Sequence, residues 1–298
     1  MATVRELLDR GIERLRGAGS ETPRLDAELL LGRTVGVDRT VLIAHPEAPV
    51  GADAETAFDA DLERRAAGEP IAYIRGFKEF YGIAFATDPR ALIPRPETEL
   101  LVEIAEREVM RRLTASARPP GTPPLRVVDV GTGGGTVAVA LGVILRRHGV
   151  GPDVEVIATD DSPAALELAR ENAVGHGVAD RVRFVDADLL PPVVERAYDV
   201  LAANLPYVRS DEVDRLPIAA SFEPRAALDG GPEGLTVIAR LLDRLPDVLE
   251  TDGVALVEIG SDQVDGIRRL VEDRLPAWRC QVELDLAGQP RVARIERP

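Results

Sequence analysis

The run Val127-Val128-Asp129-Val130-Gly131-Thr132-Gly133-Gly134-Gly135 has the clearest chemical potential in the chain. An apolar strand enters a glycine loop, and a helix is expected behind it. Glycines let the backbone take positive φ and let a ligand approach closely. The first amides of the helix then face that ligand. Dinucleotide enzymes also use a glycine loop, but they bracket a pyrophosphate with Gly-x-Gly-x-x-Gly. Here the spacing is Gly-x-Gly-x-Gly, with Asp129 just ahead of it. A carboxylate at that point repels a pyrophosphate. It suits a ligand with ammonium and sulfonium centres and no phosphate, which is the chemistry of S-adenosylmethionine. Asp129, Gly131, Thr132, Gly133, Gly134 and Gly135 are therefore the expected cofactor loop.

Two more acidic positions extend this pattern. The next strand candidate ends at Thr159-Asp160-Asp161, where an acidic side chain can accept both ribose hydroxyls. Asp160 is the first choice and Asp161 the alternative. The third strand candidate leads to Asp186-Ala187-Asp188-Leu189. Asp188 is expected to accept from the adenine amino group and Leu189 to pack on the ring. The competing reading makes these acids caps and solvated loop ends.

The fourth strand candidate ends at Ala203 and runs into Asn204-Leu205-Pro206-Tyr207. These residue types suit methylation of a planar nitrogen, whose delocalised lone pair makes it a poor nucleophile. The Asn204 side-chain oxygen can accept one N–H of such a nitrogen, and the Leu205 carbonyl can accept the other. Pro206 holds Leu205 extended. Tyr207 can stack on the flat face. Catalysis would then be positioning and electrostatics, with no metal and no covalent intermediate. Asn204 is expected to border the cofactor as well as the substrate. In isolation the same asparagine also reads as a strand terminator that starts a turn.

Several elements must hold these loops in place. Val4, Leu7, Leu8, Ile12 and Leu15 recur at helical spacing. Thr22-Pro23 reads as an N-cap with proline at the first helical position, followed by an apolar face of Leu25, Leu29 and Leu30. A further helix is expected over Glu55 to Ala67, giving a helical N-terminal domain over residues 1–70. Residues 71–96 turn β-prone, with Ile71, Tyr73, Ile74, Phe77, Phe80, Tyr81 and Phe85 interrupted by Gly76 and Gly82, and predict a hairpin linker. Leu100 to Leu113 reads as a helix and Ala115 to Pro124 as a loop.

Residues 97–298 form the third region, and strands and helices alternate along it from Leu125. Strands are expected at Leu125–Val130, Val154–Thr159, Val182–Val185, Tyr198–Ala203 and Gly253–Ile259. Helices are expected at Thr136–His148, Ser162–His176, Gly234–Leu249 and Ser261–Leu275. Arg279–Leu286 and Arg291–Glu296 read as a closing hairpin. This is an α/β pattern: a doubly wound, mostly parallel sheet with one antiparallel strand.

Composition narrows the function classes. The 298 residues carry 51 acidic against 36 basic side chains, a formal charge of -15. Nucleic-acid binders usually carry a basic stripe, so nucleic acid is not the expected partner and a basic protein is easier to accommodate. A single cysteine, Cys280, excludes an internal disulfide or a cysteine zinc site. His45, His148 and His176 are isolated and read as surface or packing residues. The amphipathic N-terminus lacks the apolar core of a secretory signal. Val127 to Leu145 contains Asp129 and five glycines, and reads as strand, loop and helix rather than as a membrane span. A monomeric, cytoplasmic protein is expected.

These residues together resemble the bacterial release-factor glutamine methyltransferases, which N5-methylate the glutamine of the Gly-Gly-Gln motif in class I peptide chain release factors. Pro23-Arg24-Leu25-Asp26-Ala27-Glu28-Leu29-Leu30 is similar to the family's helical N-terminal domain. Gly68 to Ile74 and Glu79-Phe80-Tyr81-Gly82 are similar to its linker. Leu92-Ile93-Pro94-Arg95-Pro96-Glu97-Thr98-Glu99 is similar to its most specific signature, which borders the active site, and Phe222-Glu223-Pro224-Arg225-Ala226-Ala227-Leu228 to another. The resemblance implies a Rossmann-like class I methyltransferase sheet and an N-terminal substrate-recognition domain. It also implies S-adenosylmethionine as cofactor and a class I release factor as partner. Ile93, Pro94 and Arg95 would come near the substrate, while Arg95 and Glu97 could also pair with each other or cap a helix. One residue departs from the family, whose loop is usually Asn-Pro-Pro-Tyr: Leu205 replaces the first proline. Asn-Leu-Pro-Tyr is also the form in enzymes resembling ribosomal-RNA adenine dimethylases. An adenine N6-methyltransferase, a non-catalytic nucleotide-binding module and a dinucleotide oxidoreductase are the alternatives.

Overall fold

A computed structural model describes residues 1–115 and 121–298. Half of the expected loop at 115–124, residues 116–120, lies outside the described residues. The chain divides into two compact units, Met1–Phe77 with Leu216–Phe222, and Lys78–Arg215 with Glu223–Pro298.

The first unit is helical: α1 (Val4–Gly17), α2 (Pro23–Val35), α3 (Arg39–Ala44), α4 (Ala52–Ala66) and α5 (Ile71–Arg75). Thr3 and Glu6 form a capping box at the start of α1. Pro23 opens α2, but Thr22 makes no side-chain cap; its hydroxyl donates to Asp26 at 2.9 Å instead. The expected apolar face of α2 is also rotated. Leu25 is exposed while Leu30, Leu31, Asp26 and Glu28 are buried. The buried acids are tolerated because they are paired, Asp26 with Arg65 and Glu28 with Arg24 and Arg39. Leu7, Leu15, Leu30, Leu31, Phe58 and Ile74 build this unit's core.

Ile71–Arg75 is a helix, not the start of a hairpin. Pro70 precedes it, Gly76 closes it at φ 78°, and Tyr73 and Ile74 are buried. Packing here overrides the β-propensity of the side chains. The hairpin itself is short, β1 (Phe77–Phe80) and β2 (Ile83–Ala86), with Tyr81 and Gly82 at its tip at φ 51° and 70°. Positive φ at both tip residues is the type I′ geometry that matches strand twist.

The second unit continues with α6 (Thr98–Thr114), β3 (Leu125–Val130), α7 (Thr136–Arg147), β4 (Val154–Asp160) and α8 (Pro163–Gly175). Next come β5 (Val182–Asp186), β6 (Tyr198–Ala203), α9 (Ser210–Val213), α10 (Thr236–Leu242) and α11 (Leu245–Val248). It ends with β7 (Leu249–Glu258), α12 (Val264–Arg274), β8 (Arg279–Leu284) and β9 (Pro290–Glu296). The single helix expected over Gly234–Leu249 is split in two, because Pro246 has no amide proton to continue the ladder.

The sheet order is β5-β4-β3-β6-β7-β9-β8. Strands β3 to β7 pair in parallel, and β9 runs antiparallel to both of its neighbours. Alternate residues serve opposite faces. Val127, Val156, Val200 and Leu256 pack with α6 and α7. Val128, Ile157, Leu201 and Val257 pack with α10 and α12. The fold is thus an α/β sheet sandwiched by helices, with one antiparallel strand.

Candidate active site

The chain lays β4 and β5 on one side of β3, then crosses over to lay β6 and β7 on the other. Ligands of open α/β sheets bind at such a switch point, beyond the carboxyl ends of the strands. Val130 pairs in register with Ala203, so the glycine loop after β3 and Asn204 after β6 emerge side by side. A cavity of about 280 Å³ opens there, on the scale of small-molecule sites.

Asp129, Gly131, Thr132, Gly133 and Gly134 line the cavity, as do Asp160, Asp161, Asp188, Leu189, Asn204, Leu205 and Pro206. Ile93, Pro94 and Arg95 line it too. Gly135 and Tyr207 lie outside the lining. Gly135 stands at the N-cap of α7 with φ 83°, and the Tyr207 hydroxyl turns to Glu258 at 3.3 Å.

Asp129 is buried and accepts from the Thr132 hydroxyl at 2.6 Å and the Ala138 amide at 3.1 Å. Burial pushes its carboxyl up to about 6, against the lowering effect of those two bonds. Asp160 holds the loop from the second strand: its two oxygens accept from Gly133 N at 2.8 Å and Ser162 N at 2.9 Å. Burial raises its carboxyl as well, while those two bonds oppose the rise. Each Asp160 oxygen keeps a further lone pair for a ligand hydroxyl. Leu189 sits in the left-handed region at φ 62°, a conformation that costs a branched residue energy and tends to mark functional loops.

Four acids face the cavity, and the three arginines of its lining are already paired. Arg90 is paired with Asp88 and Glu171, Arg95 with Glu223, and Arg240 with Asp188. Such a site suits a cationic, phosphate-free ligand and offers little to a pyrophosphate. The lining therefore fits S-adenosylmethionine.

Several residues that build the site were not expected. Asn172 of α8 accepts from Ala86 N at 2.8 Å and donates to Gly134 O at 2.9 Å, tying the β2 strand to the glycine loop. Glu223 accepts from Ile93 N at 3.0 Å and from Arg95, so Arg95 pairs with Glu223 and not with Glu97. Glu97 precedes α6 without a side-chain cap. Asn204 donates through Nδ2 to Thr98 at 2.9 Å. The partners lie 86, 38, 130 and 106 residues apart, beyond the reach of local pattern reading.

Residues 6–76 match the family model described as PrmC N-terminal domain, and residues 113–252 match the one described as methyltransferase small domain. The release factor glutamine methyltransferase of Moorella thermoacetica is 38% identical over 97% of this chain and 96% of its own length. The chain belongs to the release factor glutamine methyltransferase family. The relative of the same name from Rhodopirellula baltica is 36% identical over 99% of this chain and 96% of its own. The hMettl16 catalytic domain in complex with MAT2A 3′UTR hairpin 6 matches with a TM-score of 0.54. That match is 15% identical over 80% of this chain and 81% of that one, a likeness of fold alone. This methyltransferase takes S-adenosylmethionine as its cofactor. Among the described residues no helix is long and apolar enough to cross a membrane.

Proposed function

We propose that this methyltransferase acts in the cytoplasm, as a single chain, on the glutamine of the Gly-Gly-Gln motif in class I release factors. It transfers one methyl group to the side-chain amide N5. The observation that carries this reading is the Asn204 amide at the end of β6, whose nitrogen is held by Thr98 beside the cofactor loop.

S-adenosylmethionine supplies an electrophilic methyl group on a positively charged sulfur. The chain's own residues do the rest. Asp129 and the glycine loop would seat the cofactor, with Asp160 accepting from its ribose hydroxyls. Asp188 and Leu189, which line the same cavity, would border the adenine. With Asn204 Nδ2 committed to Thr98, Oδ1 is the end offered to a substrate N–H. The Leu205 carbonyl accepts the second N–H, and Pro206 keeps Leu205 extended. The nitrogen is thereby aimed at the methyl group. Transfer would join the methyl carbon to N5 as its bond to sulfur breaks, leaving S-adenosylhomocysteine, and the amide proton would pass to solvent. Ile93, Pro94 and Arg95, locked by Glu223, form the substrate-side wall. A lone glutamine offers little surface for specificity, so the helical domain over residues 1–70 supplies a second contact with the release factor.

Label transfer from S-adenosylmethionine tests this reading. Incorporation into a purified class I release factor, and its loss when the Gly-Gly-Gln glutamine is replaced, is the expected result. Label entering only RNA or DNA would favour the adenine methyltransferase instead.

A further inference from the structure

Glu258 is the last residue of β7 and is fully buried, yet it lies outside the cavity lining. Its carboxyl accepts from the Tyr207 hydroxyl at 3.3 Å, and the Thr98 hydroxyl favours its charged form. Its second oxygen, Oε2, has no partner among the described residues. Burying a carboxyl in a core is costly, and an apolar side chain of the same shape would pack there more cheaply. The position therefore calls for a role that an apolar residue could not fill.

Hydrogen-bond polarity supplies that role. The Thr98 hydroxyl has one proton to give. Thr98 Oγ1 accepts from Asn204 Nδ2 at 2.9 Å, which leaves its own proton for the Glu258 carboxyl, whose charged form the Thr98 hydroxyl favours. The other end, Oδ1, is thereby turned away from Thr98. The same carboxyl anchors Tyr207 at the far end of the Asn-Leu-Pro-Tyr loop. One buried group thus fixes two residues of that loop from behind.

We propose that Glu258 is a positioning residue for methyl transfer, acting through Thr98 on the direction of the Asn204 amide and directly on the seat of Tyr207. This rests on the role given to Asn204 above. An acceptor is what the geometry requires, not a charge. Glutamine can place its oxygen where Oε1 stands and its nitrogen at the unpartnered Oε2, whereas leucine can accept nothing. Valine at Thr98 removes the hydroxyl, and serine restores it.

The experiment measures kcat and KM for both substrates in the full-length chain. Glu258→Leu and Thr98→Val should each lower kcat at least about tenfold while cofactor affinity stays within about twofold of wild type. Glu258→Gln and Thr98→Ser should stay within about threefold of wild-type kcat. The double variant Glu258→Leu/Thr98→Val should be no slower than the slower single one, apart from the share that passes through Tyr207. Cooperative thermal melting checks that each variant folds. If Glu258→Leu does not fold, Thr98→Val carries the test, and wild-type kcat in it overturns the proposal. Wild-type kcat in folded Glu258→Leu overturns it as well. So does a folded Glu258→Gln as slow as the leucine variant. Asn204→Ala separates this inference from the reading beneath it. Full turnover in Asn204→Ala defeats the Asn204 assignment. A slow Asn204→Ala beside fast Glu258→Leu and Thr98→Val defeats only the inference about Glu258.

Discussion

Leu205 and Gly131 are fitted to each other: a Cβ built on Gly131 would stand 2.8 Å from Leu205 Cδ2, closer than real carbon contacts. Gly131 also needs its freedom of backbone, with φ at 71°. Leu205 is buried against the core on the α10 and α12 face of the sheet. The glycine loop after β3 and the Asn204 loop after β6 therefore approach each other closely at these two residues.

Gly131→Ala should accordingly destabilise the protein by about 2 kcal/mol, from the positive φ together with the clash. In a Leu205→Ala background the clash disappears and only the backbone part should remain. Denaturant unfolding of the double-mutant cycle should give a coupling on the order of 1 kcal/mol. Strict additivity would mean that the two loops do not press on each other.

Leu205→Pro should keep most of the methyl-transfer rate. No hydrogen bond from the Leu205 amide occurs among the described residues, so proline removes no native donor bond. The loss is one of packing, about 1–3 kcal/mol of stability for a buried side chain made smaller. A large fall in kcat with a normal melting transition would show that the leucine itself shapes the active loop.

Asp160→Ala should weaken S-adenosylmethionine binding by about 1.5–3 kcal/mol, the value of charge-assisted hydrogen bonds to the ribose. The glycine loop also loses the tie at Gly133 N. Calorimetry measures the affinity, and circular dichroism should report an unchanged fold. Unchanged affinity would move the ribose role to Asp161 or remove it.

Stability should fall with rising pH because of the buried acids. Burial pushes Glu258 up to about 7 and Asp129 up to about 6. The folded state therefore keeps protons that the unfolded chain releases near its ordinary carboxylate values. The stability linked to Glu258 is fully present below about 4.5 and is lost as pH rises through about 7. Glu108 behaves oppositely. Burial would raise it, but Arg111 and Arg112 hold it at about 2, so its contribution is lost only as acid approaches that value. Urea unfolding near pH 5 and near pH 8 should show cofactor-free Glu258→Gln gaining on wild type as pH rises. A gap independent of pH would contradict the buried-acid account.

The glycine loop between β3 and α7 was legible in the sequence because its information is local. Asp129 to Gly135 and Asp160 lie at strand ends whose apolar runs announce them. The α/β alternation was legible for the same reason. The pairings of Thr98, Asn172, Glu223 and Glu258 were not: Thr98 and Glu223 lie within the two signature segments, but nothing in any of the four neighbourhoods names the distant partner. Each acquires its function only when the fold brings a distant partner within hydrogen-bond range. Leu25 and Ile71 misled for a related reason. At Leu25 the paired acids Asp26 and Glu28 took the buried side of α2, and at Ile71 a helix between Pro70 and Gly76 outweighed β-propensity.

The central claim is that the Asn204 loop methylates one glutamine amide of a release factor. Tandem mass spectrometry of a class I release factor incubated with this enzyme and S-adenosylmethionine tests it most directly. The account predicts a single added methyl group on the side chain of the Gly-Gly-Gln glutamine. In Asn204→Ala that product should form about two to three orders of magnitude more slowly, with cofactor binding intact. An unmodified glutamine alongside methylated adenine in RNA or DNA, or a normal rate in Asn204→Ala, would contradict it.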